Sequence, residues 1–187
     1  MAVRPLAGGR YAVDSASGAT YVVDLSDGSC TCPDYQIRGE RCKHLRRVAI
    51  EITTRRLPAP GKRAAVCDAC GIDTFVPEGE GPPDLCGACR VEPGDVVRDR
   101  ETDDRLVVAR VTPERAYDVV IEGVGETVAD YATNEGYPAD DPVVEAVYLG
   151  DLARREHPRR YSFPLSRLER VDDAAVVERR LRERATA

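Results

Sequence analysis

The chain has no tryptophan, two phenylalanines and one methionine among its 187 residues. It is correspondingly poor in the large side chains that dominate ordinary cores. Histidine is equally scarce, with two in all, His44 and His157. Apolar runs are short: stretches such as Leu106 to Ala109 are far below the ~20 residues a spanning helix needs. No glycine-rich phosphate loop, Gly-x-Ser-x-Gly elbow or His-Glu-x-x-His helix occurs. Met1 to Gly9 lacks the basic and apolar regions of a leader. These absences set the expectation of a cytoplasmic protein that is not an enzyme, with neither a membrane nor a small-molecule substrate as partner. His157, in Arg154-Arg155-Glu156-His157-Pro158-Arg159-Arg160, reads as a solvated loop residue rather than a base.

Lysine is nearly missing as well. Lys43 and Lys62 stand beside 25 arginines, against 33 acids, for a net charge of −6. Aspartate pairs recur at Asp103-Asp104, Asp140-Asp141 and Asp172-Asp173. In so acidic a chain the first two pairs read as hydrated surface rather than a carboxylate metal site, and Asp172-Asp173 as the start of a terminal helix. Few lysines and many aspartates resemble the composition of halophilic, haloarchaeal proteins; a GC-rich genome gives the same arginine bias. The charge is unevenly spread: residues 1–66 carry a net +5, residues 67–91 a net −4 and residues 92–187 a net −7.

Against these shortages, cysteine is concentrated. Cys30-x-Cys32 and Cys42-x-His44 fall within fifteen residues. Three thiols and an imidazole that close together suit a four-ligand zinc site. Residues i and i+2 of an extended strand point the same way, so Cys30 and Cys32 can face one ion. Two positions of a helix that far apart differ by about 200° around its axis. Cys42 is therefore expected just before a helix and His44 in its first turn. Buried free thiols or a disulfide are the alternatives. A second set, Cys67-x2-Cys70 and Cys86-x2-Cys89, has the spacing of a four-cysteine zinc ribbon. Gly71 and Gly87 follow a cysteine in each knuckle, where tight turns are needed. A redox pair would need a βαβ context, which is absent, and structural disulfides are disfavoured in a reducing cytosol. Two structural zinc ions use all seven cysteines. Both sites are closed by protein ligands, which argues against a zinc hydrolase.

Alternating Arg10–Val13 and Thr20–Leu25, joined through Ser15-Ala16-Ser17-Gly18, predict a β-hairpin. Leu45, Val48, Ala49 and Ile52 lie on one helical face, predicting a helix over 43–55 that ends before Leu57-Pro58-Ala59-Pro60-Gly61. The last block offers short β candidates at 96–98, 106–111, 117–121, 127–131 and 143–149, and a terminal helix at 172–184. The expected class is α+β with three parts: a zinc finger in 1–57, a zinc ribbon in 64–91, and a small β-barrel or rolled sheet with a terminal helix in 92–187.

Residues 10–52 resemble the SWIM zinc finger. Paired strands lead into Cys30-Thr31-Cys32-Pro33-Asp34-Tyr35, and Gly39-Glu40-Arg41-Cys42-Lys43-His44 enters the helix. The resemblance implies a ββα zinc module that contacts DNA or protein. Nine basic residues lie between Arg38 and Arg63, opposed by Glu40 and Glu51. Arg41, Lys43, Arg46 and Arg47 are the expected contacts to DNA or RNA, with guanidinium groups reaching phosphates beside an apolar stripe. In molar salt the screening length falls to about 3 Å, so such contacts would have to be short-range. The competing expectation is a protein-interaction adaptor in which zinc is purely structural.

Overall fold

The computed structural model describes residues 1–152 and 154–171, so the expected terminal helix at 172–184 lies outside the described residues. The chain divides into two compact units. Residues 1–66 with 73–81 form the first, and residues 67–72 with those from Pro82 onward form the second.

The first unit contains β1 (Val3–Leu6), β2 (Arg10–Asp14), β3 (Thr20–Asp24) and β4 (Ser29–Cys30), an antiparallel sheet in that order. The predicted hairpin is β2–β3, with Tyr11 opposite Val23 and Val13 opposite Tyr21. Gly18 turns it at φ 81°, a backbone angle that a side chain would strain. Two short helices follow, α1 (Pro33–Arg38) and α2 (Lys43–Thr53). The unit is therefore more than a ββα finger: two additional strands flank the hairpin, and α1 fills the gap between the ligand pairs. α1 has Pro33 at its start and Gly39 at φ 65° as its stop. The core comprises Tyr11, Val13, Val23, Leu45 and Val48 together with Cys30, Cys32 and Cys42. Tyr11 donates its hydroxyl to the Pro58 carbonyl at 2.7 Å, tying the segment after α2 to the sheet. β5 (Lys62–Val66) and β6 (Asp73–Pro77) make a separate two-stranded sheet.

The second unit is built on β7 (Val96–Asp99), β8 (Arg105–Arg115), β9 (Pro142–Tyr148), β10 (Tyr161–Pro164) and β11 (Leu168–Arg170), with α3 (Leu149–Leu152) after β9. The strands run β10-β9-β8-β7-β11, all neighbours antiparallel. β10 and β11 are both edges, so the sheet is open: of the two expected forms, barrel or rolled sheet, the closed barrel does not form. The reason lies in the segment between β8 and β9. Candidates 117–121 and 127–131 make one isolated bridge, Val120 to Thr127, because Gly123 (φ 81°) and Gly125 (φ 85°) turn the chain between them. Their buried residue Val128 packs on Ala116 and Val143 rather than extending the sheet. With four-residue β10 and three-residue β11 at its margins, the sheet has too little strand to close.

One face of this sheet buries Val97, Leu106, Val108, Val144, Ala146 and Phe163. An ion pair is buried in the same unit. Arg167 gives Asp99 a bidentate contact at 2.8 and 2.7 Å, and its remaining nitrogen donates to Thr133 and Asn134. Asp141 accepts from the Ser166 amide at 2.8 Å and from its hydroxyl, while its other oxygen is buried without a partner. Burial holds this carboxyl above the usual aspartate range. A raised folded value means that its contribution is greatest in acid and is lost as pH rises through that value. Asp141→Asn is therefore expected to flatten the loss of stability on the alkaline side of this titration. Urea unfolding at a series of pH values checks it; an unchanged pH profile would contradict the assignment.

Candidate metal centres

Cys30 ends the short strand β4, and Cys32, two residues on, caps α1, accepting the Tyr35 amide on its sulfur at 3.4 Å. Cys42 is the N-cap residue of α2 and His44 lies in its first turn. Both Cys32 and Cys42 thus sit at the positive end of a helix, where thiolate charge is favoured. All four residues are buried, and their ligand atoms lie within 4.8 Å of one another. Gln36 holds the loop by donating to the Cys30 carbonyl at 2.9 Å.

The donor set fits zinc. The Cys30 sulfur stands 3.8 Å from His44 Nδ1. On a tetrahedral zinc, Zn–S near 2.3 Å and Zn–N near 2.0 Å place a sulfur and a nitrogen about 3.5 Å apart and two sulfurs about 3.8 Å apart. The observed 3.8 Å is close to that S–N separation, so Nδ1, the nitrogen that faces the Cys30 sulfur, is the one that would ligate. Nε2, on the far side of the ring, is buried without a hydrogen-bond partner. Tyr21 packs its ring 4.8 Å from the imidazole, fixing its orientation by contact rather than by a hydrogen bond. Burial, then the Lys43 charge, pushes His44 below its usual value and so favours the neutral, ligating form. Burial pushes the Cys30 thiol up to about 12. Burial would also raise Cys42, but amide donors from Leu45 and His44 and the neighbouring thiols hold it below its usual value. Without a cation the cluster shares protons unequally; a divalent cation replaces them.

The second cluster joins Cys67 and Cys70 to Cys86 and Cys89, again within 4.8 Å. Cys70 and Cys86 sulfurs are 3.8 Å apart, the separation that tetrahedral coordination requires. Gly71 turns the first knuckle at φ 70°, and its amide donates to the Cys67 carbonyl at 2.9 Å. Gly87 does not adopt a left-handed angle, so its place in the second knuckle owes nothing to that freedom. The Cys86 amide points at the Cys67 sulfur at 3.3 Å. Burial works against ionising Cys67, yet amides of Cys86, Ala69 and Cys70 bring it down to about 7. Cys67, Leu85, Cys86 and Val91 belong to the same buried cluster as the five-stranded sheet. Asp68 anchors the knuckle, accepting from Arg115 and from the Asp84 amide, both at 2.6 Å.

The two centres differ in access. The first is wholly buried, whereas Cys70 is exposed and Cys89 half-buried in the second. The second centre should therefore lose metal first. With a chromogenic chelator, the expected course is one fast and one slow equivalent, and alkylation mapped by mass spectrometry should mark Cys70 before Cys30, Cys32 or Cys42. Release of both equivalents at one rate would contradict this.

Of the expected phosphate contacts, Arg41, Lys43 and Arg46 are exposed. Arg47 is half-buried and paired with Glu51 at 2.5 Å, and Arg56 approaches the same carboxylate at 3.8 Å. Sequence reading missed Tyr21 and Gln36 as supports of the first cluster. Alternation placed Tyr21 in a strand but could not say which ring it would meet. No helix among the described residues is long and apolar enough to cross a membrane.

Residues 21–52 match the SWIM zinc finger family, a span that contains all four ligands of the first cluster. No curated protein and no solved structure matches the chain.

Proposed function

We propose that this SWIM zinc-finger protein is a non-catalytic accessory factor, held by two structural zinc ions, whose first unit contacts nucleic acid. The observation that carries the reading is the outward face of α2. Lys43, Arg46 and Ile50 are exposed at i, i+3 and i+7, while His44, Leu45 and Val48 are buried beneath them. Arg41 precedes the helix and is also exposed. Basic side chains on a rigid, metal-held helix start are positioned for phosphate oxygens. The net +5 of residues 1–66 supports the same partner. Neither cluster leaves a ligand position for water, which favours structural over hydrolytic zinc.

Arg47 has a different role from its neighbour, because its charge is taken up by the buried Glu51. Arg46→Ala is expected to weaken binding to mixed-sequence DNA or RNA without changing stability, and to lower the salt slope by about 1. Arg47→Ala is expected instead to destabilise the unit by about 1–3 kcal/mol, since it strips a charged partner from a buried carboxylate. Fluorescence anisotropy across a salt series, beside thermal unfolding, separates the two. Absence of binding at low salt would remove the nucleic-acid reading and leave the protein-adaptor one.

A further inference from the structure

The outer edge of β10 carries a groove that no part of the described chain fills. β10 pairs with β9 on one side, and among the described residues nothing hydrogen-bonds to the Tyr161–Phe163 backbone from the other. A groove of about 1080 Å³ lies alongside. Its lining takes Tyr161 and Phe163 from one face of the strand and Ser162 from the other, and reaches Glu145 and Tyr148 of the neighbouring β9. The facing wall is Val120, Val124 and Tyr131, which are 59%, 47% and 38% exposed. Exposed apolar side chains gathered along one wall mark a binding surface more than scattered ones do.

The wall is preformed. Val128 donates to the Val119 carbonyl at 2.8 Å and Ala129 to the Ala116 carbonyl at 3.0 Å. Asn134 ties the Val128 carbonyl at 2.7 Å. Charge in the groove is mostly spent internally: Arg167 is bound to Asp99, and Glu145 to Arg110 and Arg160. Arg159 differs. Its guanidinium lies 5.3 Å from the centre of the Tyr161 ring, and no carboxylate among the described residues comes within 4.0 Å of it.

We propose that this groove receives an extended peptide segment of a partner protein, added to the sheet as a strand beside β10. Unpaired main-chain groups supply register, alternate apolar side chains meet Val120, Val124 and the aromatic rings, and an acidic residue at one end meets Arg159. Nucleic acid fits less well, because the wall is apolar and residues 92–187 carry a net −7. A second copy of this chain would bring no carboxylate through its own β10, which reads Tyr-Ser-Phe-Pro. The assignment does not depend on the nucleic-acid reading of the first unit.

The test uses the full zinc-loaded chain and short random peptides displayed on phage, with selected sequences remade as labelled synthetic peptides. The expected winners alternate apolar residues and carry an acid. Val124→Asp and Arg159→Glu, both at exposed positions, should each weaken them about tenfold. Methylating the peptide's backbone amides one at a time should abolish binding with a period of two, since alternate amides face the strand. That readout stands even if a protein variant misfolds. The proposal is overturned if no peptide is enriched over the Val124→Asp control, or if amide methylation has no periodic effect. It is also overturned if single-stranded oligonucleotides displace the peptides and need Arg159, or if Val124→Asp instead abolishes self-association of the chain.

Discussion

Replacing Cys42 with alanine is expected to unfold the first unit and to halve the zinc content of the protein. Cys42 is 3% exposed, caps α2 and shares a core with Tyr11, Val13, Val23, Leu45 and Val48. Burying five such side chains contributes only about 1.5–3 kcal/mol each, before the entropy of ordering the chain is subtracted. Structural zinc binding in small modules is worth about 10–16 kcal/mol, comparable with the whole stability of an ordinary domain. The unit's hydrophobic core is thus too small to stand without the ion, and a three-ligand site would hold it far more weakly. Metal analysis should fall from two equivalents to one, and amide protection should vanish over β2, β3 and α2. Retention of both equivalents with native protection would show that the cluster is not what holds this fold.

The second large effect is expected at Asp99. Its side chain is fully buried, and Arg167 opposite is 5% exposed. Asp99→Ala leaves a guanidinium in the interior with only neutral acceptors, Thr133 and Asn134, which should cost the second unit about 3–5 kcal/mol. Asp99→Ala combined with Arg167→Met removes both charges and should recover much of that loss, because an intact buried pair adds little beyond a well-packed apolar replacement. Burial alone would raise the Asp99 carboxyl, but the Arg167 contact and the Glu101 amide outweigh it and hold it below the usual range. A lowered folded value makes its stabilisation present above the ordinary aspartate value and lost as pH falls through the folded one. Denaturant titrations should therefore show wild type losing stability in acid more steeply than the double variant. Equal losses in single and double variants would refute the coupling.

The sequence by itself determined the eight metal-ligand candidates and the local elements that carry them. Coordination by cysteine and histidine is a short-range property, and two- and three-residue spacings leave few other arrangements for so many thiols. The placement of Cys42 before a helix and His44 within it followed from helical geometry alone. The tertiary structure decided what depends on distant residues. Asp99 and Arg167 meet across 68 positions, and no local pattern in an acidic chain distinguishes Asp99 from its hydrated neighbours. Arg46 and Arg47 are adjacent and chemically equal, yet only the fold places a buried Glu51 against one of them. The open sheet has the same origin. Alternation in 117–131 was compatible with strands, but the left-handed Gly123 and Gly125 turned that segment into the wall of a groove, and pairing, unlike propensity, is settled between elements rather than within them.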